Sequence, residues 1–156
     1  MEKEKCLARL QRLCSKAEYC SADIFRKALK DLEGDAAAAS AVLASLVEDR
    51  YVDDARYASA FAREKASLQG WGPIKIRFQL RGKGISVDHI SAALAEVEPE
   101  KAADKLERLL TSKAKTLAGD PQFRLKLLKF GLSRGYDYEV VEKAVSKIIA
   151  TFAATK

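Results

Sequence analysis

The chain has few residues whose type and spacing could do chemistry, and each has to be weighed against a structural role. His89 is the lone histidine. It sits between Asp88 and Ile90 on a predicted helix, with no cysteine or paired carboxylate at the spacing of a triad or a metal site. A surface histidine fits better than a general base. Asp53-Asp54 could offer two carboxylates to a cation, but an adjacent pair at a helix start reads first as a cap for free amide groups. Cys6, Cys14 and Cys20 lack CxxC spacing and have no histidine near them. They read as reduced, buried thiols of a cytosolic protein rather than as zinc ligands or a disulfide framework. The glycines at 70–72 and 82–84 are not followed by Lys-Ser/Thr, so neither run is a phosphate-binding P-loop. Trp71, between two glycines, suits either stacking on a nucleobase or serving as a packing anchor between repeats, and the anchor is the better reading. No enzyme constellation emerges, and none of these residues calls for a cofactor.

Charge is the stronger signal. The 156 residues carry a formal net charge of +6, unevenly placed. Residues 1–50 hold nine basic and nine acidic side chains. Residues 65–83 hold Lys65, Lys75, Arg77, Arg81 and Lys83 with no acid. Residues 108–134 hold Arg108, Lys113, Lys115, Arg124, Lys126, Lys129 and Arg134 against Asp120 alone. Two such concentrations point to an anionic partner, either nucleic acid or an acidic protein groove; the plainer alternative is solvated helix faces.

The elements that must carry these residues are helical. Ala, Leu, Lys, Arg and Glu dominate, and only three prolines and eight glycines interrupt them. Apolar periodicity places helices over 4–15, from Ser21 as N-cap, over 36–49, over 53–69, after Pro73, after Ser86, from Pro99, over 121–133, and to the end. Residues 74–81 (IKIRFQLR) alternate as a strand would. No other segment offers a partner strand, and an isolated strand leaves its backbone unpaired. A short helix is therefore expected there, apolar on two sides and so sandwiched between neighbours. No secretory signal follows the charged N-terminus, and no apolar run reaches the ~20 residues of a membrane span.

The chain also repeats. Lys83-Gly84-Ile85 matches Arg134-Gly135-Tyr136 at an offset of 51 residues. At that offset Ile74 meets Leu125, Ile76 meets Leu127, Ile90 meets Val141 and Leu94 meets Val145. Helix 53–69 corresponds to 100–118, and 4–49 reads as a diverged third copy. The expected fold is all-α: three tandem three-helix repeats, 1–50, 51–98 and 99–156, in an elongated, curved, solenoid-like right-handed stack with basic side chains on the concave face.

Two blocks resemble a known family. Tyr51-Val52-Asp53-Asp54-Ala55-Arg56-Tyr57-Ala58 is similar to the aromatic-aliphatic-Asp-Asp-x-Arg-aromatic-Ala signature of RecX proteins. Gly70-Trp71-Gly72-Pro73-Ile74-Lys75-Ile76, with Leu80 and Lys83-Gly84-Ile85, resembles the next block, and Arg134-Gly135-Tyr136 its echo. The resemblance spans about 21–150; the first repeat, with its run of alanines, departs from the pattern.

It implies a cytoplasmic regulator, acting as a monomer in DNA repair and recombination, with no active site and no cofactor. The implied partner is the RecA–DNA filament, with single-stranded DNA contacted weakly or through it. The implied action is inhibition of ATP hydrolysis and strand exchange. Lys65, Lys75, Arg77, Arg81 and Lys83, with Arg124, Lys126, Lys129 and Arg134, are the expected contacts. Two rivals explain the charge as well: a stand-alone basic DNA-binding protein, and a helical adaptor for acidic partners.

Overall fold

The computed structural model describes residues 1–154. Among these residues it contains nine helices and no strand. They are α1 (Lys3–Lys16), α2 (Ser21–Asp31), α3 (Ala36–Glu48), α4 (Asp54–Ser67), α5 (Pro73–Gly82), α6 (Val87–Ala95), α7 (Pro99–Thr116), α8 (Phe123–Ser133) and α9 (Tyr138–Ala154). The alternating segment 74–81 is helical, as expected from its lack of a partner strand. The last two residues of the expected third repeat lie outside the described residues. The chain divides into two compact units, Met1–Ala60 with Leu80–Ala93, and Phe61–Gln79 with Leu94–Lys156.

In the first unit α1, α2 and α3 pack on one another around Cys6, Leu10, Ile24, Ala28, Ala39, Val42, Leu46 and Val52, all essentially fully buried. The i, i+4 spacing of Cys6, Leu10 and Cys14 lines one face of α1, and Ile24 and Ala28 do the same on α2. The Asp35 carboxylate accepts from the Ala38 amide at 3.0 Å and caps α3. Arg9 pairs with Asp31 across α1 and α2.

The signature block is a fastening in this unit. Asp53 caps its own helix, accepting from the Arg56 amide at 3.1 Å. Asp54 accepts from the Ser21 amide at 2.8 Å, so it caps α2 from a distant part of the chain. This corrects the expectation for Ser21, which is the first helical residue; the N-cap position is Cys20, whose side chain supplies no cap bond. Arg56 donates from Nε to Glu18 at 2.6 Å and from Nη2 to the carbonyls of Arg50 and Tyr51. It thereby satisfies acceptors left open just beyond the end of α3. The aspartate pair is thus a double cap rather than a cation site.

In the second unit α7, α8 and α9 enclose Leu106, Leu110, Ala114, Leu127, Tyr136, Val141, Val145 and Ile148. Several positions paired at the 51-residue offset share their burial, although Leu94 is half-buried where Val145 is buried. Ile76 and Leu127 are buried, as are Ile90 and Val141, and Ile85 and Tyr136. Gly84 and Gly135 both have positive φ, +76° and +92°, ending α5 and α8 in the left-handed conformation. Where the middle repeat has buried Leu80, the third has Gly131, and a Cβ there would come within 2.5 Å of Val141.

Burial sorts the apolar residues of the other helices, and on α5 it departs from the expectation. Ala58, Ala62 and Ala66 form the buried stripe of α4, while Leu68, past its end, is exposed. On α9 Val141 is buried, while Val140 is 45% exposed. On α5 only Ile76 and Leu80 are buried; Ile74 is 51% and Phe78 73% exposed, so that helix is not sandwiched.

Candidate functional site

The basic residues fall into two classes. Lys83, Arg124 and Lys126 are occupied by the chain's own carboxylates. Lys83 Nζ donates to Asp23 Oδ2 at 3.0 Å, and Asp23 also pairs with Arg26. Burial pushes the Asp23 carboxyl up, but hydrogen bonds from Lys83 and Cys20 and the charges of Lys83 and Arg26 outweigh it and hold it below its usual range. The same bond raises Lys83. Arg124 pairs with Glu142 at 3.1 Å. Lys126 pairs with Asp120 at 2.6 Å; that bond, with the Gln122 amide, lowers the Asp120 carboxyl.

The second class is Lys65, Lys75, Arg77, Arg81, Lys129 and Arg134, for which no carboxylate among the described residues is an ion-pair partner. Arg77, Arg81 and Lys129 are exposed. Arg77 lies on α5 beside exposed Ile74 and Phe78 at i, i+3, i+4 spacing, with Arg81 one turn further along the helix.

Lys65, Lys75 and Arg134 are drawn together in the second unit by the loop 70–73. Gly70, at φ +67°, turns the chain out of α4, and the Trp71 amide donates to the Lys65 carbonyl at 2.9 Å. Lys65 Nζ then lies 5.0 Å from the Trp71 ring centroid and 5.5 Å from that of Phe61. Lys75 Nζ lies 4.4 Å from the same Trp71 ring. Phe61 meets Trp71 edge-on at 6.0 Å. The end of α8 closes the group. The Gly72 amide donates to the Arg134 carbonyl at 2.7 Å and the Ile74 amide to the Gly135 carbonyl at 3.0 Å. Arg134 Nη2 donates to the Gln69 carbonyl, and Lys75 Nζ reaches the Ser133 carbonyl at 3.4 Å.

Trp71 is half-buried, and its ring meets Phe61, Lys65 and Lys75. It also holds two ammonium groups in place. The sequence reading singled out the three cations but not the groups that gather them: Phe61, the Gln69 carbonyl, and Phe130, whose ring lies 5.9 Å from the Arg134 guanidinium carbon and 5.6 Å from Lys113 Nζ. The i, i+4 spacings of Phe61 with Lys65 and of Trp71 with Lys75 were the available signal.

Other sequence candidates take structural places. His89 is exposed, and its backbone amide donates to the Ser86 hydroxyl that caps α6. Among the described residues no group of His, Cys, Asp and Glu could hold a metal ion, and no helix is long and apolar enough to cross a membrane. The depression beside Tyr138, Glu139, Val140, Glu142 and Lys143 is shallow and open, with no convergent chemistry.

Residues 53–94 match the family described as RecX, second three-helix domain. Regulatory protein RecX of Clostridium botulinum (strain Eklund 17B / Type B) is 34% identical over 108 residues, which is 67% of this chain and 50% of that protein. Regulatory protein RecX of Halalkalibacterium halodurans is 31% identical over 109 residues, 69% of this chain and 41% of that protein. The chain thus spans about half, or somewhat less, of the curated relatives it matches. Among solved structures, a crystal structure of regulatory protein RecX superposes with a TM-score of 0.80 at 25% identity, covering 90% of this chain and 70% of that one. RecX from Lactobacillus salivarius superposes at 0.81 and 19% identity, covering 95% and 97%, a likeness of fold. The double cap at Asp53 and Asp54, the glycine turns at 70–72 and 84, and the helices between them fall within residues 53–94 that match the family's second three-helix domain, and the chain belongs to the RecX family.

Proposed function

We propose that this chain regulates a RecA-type recombinase in DNA repair and recombination, by binding the recombinase–DNA filament and inhibiting its ATPase and strand exchange. Family membership supports the regulatory role. The observation that carries the filament as target is the set of six cations without a carboxylate partner among the described residues, Lys65, Lys75, Arg77, Arg81, Lys129 and Arg134. An elongated polyanion, or a protein groove lined by carboxylates, supplies the missing counter-charge. Lys83, Arg124 and Lys126 offer less field to an outside anion, because carboxylates of this chain already neutralise them.

No chemistry is required of the regulator. Occupying a filament groove inhibits either by excluding a second DNA strand or by binding one filament state more tightly than another. Reversing Lys75, Arg77 and Arg81 to glutamate together, with folding checked by circular dichroism, is expected to weaken inhibition of recombinase ATPase at least tenfold. Lys126→Gln is expected to leave it nearly unchanged. Undiminished inhibition by the triple variant rejects this face as a major contact.

The same cations also suit direct binding to nucleic acid without a recombinase. That reading predicts tight, steeply salt-dependent binding to bare single strands. The filament reading predicts binding that strengthens markedly once the strand is coated. One titration of bare against coated DNA separates the two.

A further inference from the structure

The grouping of Lys65 and Lys75 over Trp71, with Arg134 fastened to the same loop, is more specific than a basic surface. The two ammonium nitrogens cannot be farther apart than the sum of their distances to one ring centroid, 5.0 and 4.4 Å. That is comparable with the ~8 Å screening length of physiological salt, so each feels the other. Arg134 is tied to the same loop through Gln69 and through the backbone pairs of Gly72 and Ile74. Among the described residues no carboxylate pairs with any of the three.

What compensates them within the chain is the C-terminal ends of α4 and α8, through the carbonyls of Gln69 and Ser133. Each helix end carries roughly half a negative charge. Two ends therefore leave about two of the three positive charges unanswered. An excess of that size matches a phosphate dianion or two adjacent phosphodiesters. Donors remain for an outside anion: an ammonium has three N–H groups and a guanidinium five, one bond from Lys75 and one from Arg134 go to carbonyls, and the Arg134 Nε–H is buried.

We infer that Lys65, Lys75 and Arg134, pre-positioned by Trp71 and the clamped loop 70–73, form a binding site for a phosphate oxyanion. The inference rests on the reading of these cations as contacts to an anionic partner and narrows it: three of the six bind phosphate directly. It also changes the role open to Trp71. With two ammonium groups over its ring, the indole orients cations for a backbone phosphate instead of stacking on a base. The source is a nucleic-acid backbone or free phosphate, and the test separates the two.

The chain has a single tryptophan, so the site carries its own reporter. Inorganic phosphate is titrated against the full chain at constant ionic strength, chloride replacing phosphate in the control, while Trp71 emission is recorded. A saturable change with phosphate and none with chloride is expected. It should vanish in Lys65→Gln/Lys75→Gln, persist in Lys65→Arg, which keeps the charge, and persist in Lys126→Gln. With a single-stranded oligonucleotide, the double variant should also lower the slope of log affinity against log salt by ~1.4, the value for two lost phosphate contacts on a single strand. A loss with phosphate but unchanged oligonucleotide binding assigns the site to free phosphate.

A response that survives in the double variant overturns the inference, as does the absence of any saturable phosphate response in the parent chain. So does a response to an acidic peptide in place of phosphate. If the double variant loses phosphate yet inhibits the recombinase undiminished, the site stands and the filament reading must be carried by other residues.

Discussion

Gly135 faces Lys75 so closely that a Cβ on the glycine would lie 2.2 Å from the Lys75 Cβ and 2.7 Å from its backbone nitrogen. Opposite it, a Cβ on Gly72 would fall 2.4 Å from the Gly135 carbonyl oxygen. The two glycines let the loop before α5 lie flat against the turn after α8, and their neighbours' amides and carbonyls then pair across the gap. Backbone contact, rather than a salt bridge, brings Lys75 beside Arg134.

Gly135→Ala meets two penalties at once. At φ +92° a side chain is strained by about 1–2 kcal/mol, and the clash with Lys75 adds the cost of overpacking, about 1–3 kcal/mol. A loss of ~2–4 kcal/mol in chemical denaturation is expected, with a weakened Trp71 phosphate response in the fraction still folded. Gly82→Ala is the contrast. Nothing lies within 4 Å of its Cβ and its φ is not positive, so stability should hold or rise by about 0.5–1 kcal/mol. Equal effects from the two substitutions would mean the close approach at Gly135 is not structural.

Asp54→Ala removes the carboxylate that caps α2 from outside its own sequence neighbourhood. The Ser21 amide then has no partner, since Cys20 supplies none. A loss of ~1 kcal/mol is expected in urea unfolding, similar to that for Asp53→Ala on α4. Asp54→Asn, which keeps an acceptor, should recover most of it. Neither change should alter anion binding; a variant that stayed fully stable but lost phosphate or DNA affinity would turn the aspartate pair from a fastening into a site.

Much of this was legible in sequence, and the gaps have physical causes. Helices were readable because apolar residues recur at helical spacing and Pro73, Pro99 and the glycines punctuate them. Positions 76 and 127, and 90 and 141, were readable as core because both members of each pair are apolar at the same offset, and all four are buried. Periodicity does not say which apolar face is covered. Hence α5, apolar on two sides, was expected between neighbours although Ile74 and Phe78 face solvent. The capping of α2 by Asp54 was illegible because the bond joins residues far apart in the chain. The division of the cations was hidden for the same reason. Lys83 is neutralised by Asp23 from another helix, so a run without acids in sequence is not a run without acids in space.

The Asp23–Lys83 pair gives the first unit a defined pH window. The Asp23 carboxyl is lowered on folding, so its contribution is present above about pH 4 and is lost as pH falls through the folded value. Lys83 is raised, so its contribution is complete below about pH 10.4 and is lost as pH rises beyond the folded value. Both side chains are partly exposed, which limits the pair to roughly 1 kcal/mol or less. Lys83→Met leaves Asp23 with burial pushing its carboxyl up and only Arg26 and Cys20 to oppose it. The acid-unfolding midpoint, followed by helical circular dichroism, should therefore move to higher pH. A midpoint that stays put or falls would show that the pair does not stabilise the folded state.

The three cysteines provide a separate probe of the same unit. Cys6, Cys14 and Cys20 are all buried and free. Burial is the leading cause that raises each thiol, and nearby acids add to it: Asp31 at Cys6, Glu18 at Cys14 and Asp23 at Cys20. A thiol that is both inaccessible and less ionised than usual is a poor nucleophile. An aromatic disulfide reagent at neutral pH should label essentially none of the three in the native chain and all three in denaturant. The native rate should track opening of the first unit, so Asp54→Ala, which loosens α2 beside Cys20, should speed labelling of Cys20 about fivefold for each ~1 kcal/mol lost. Immediate labelling of one thiol in the intact chain would contradict the packing of α1 and α2 and expose that residue as a reactive group.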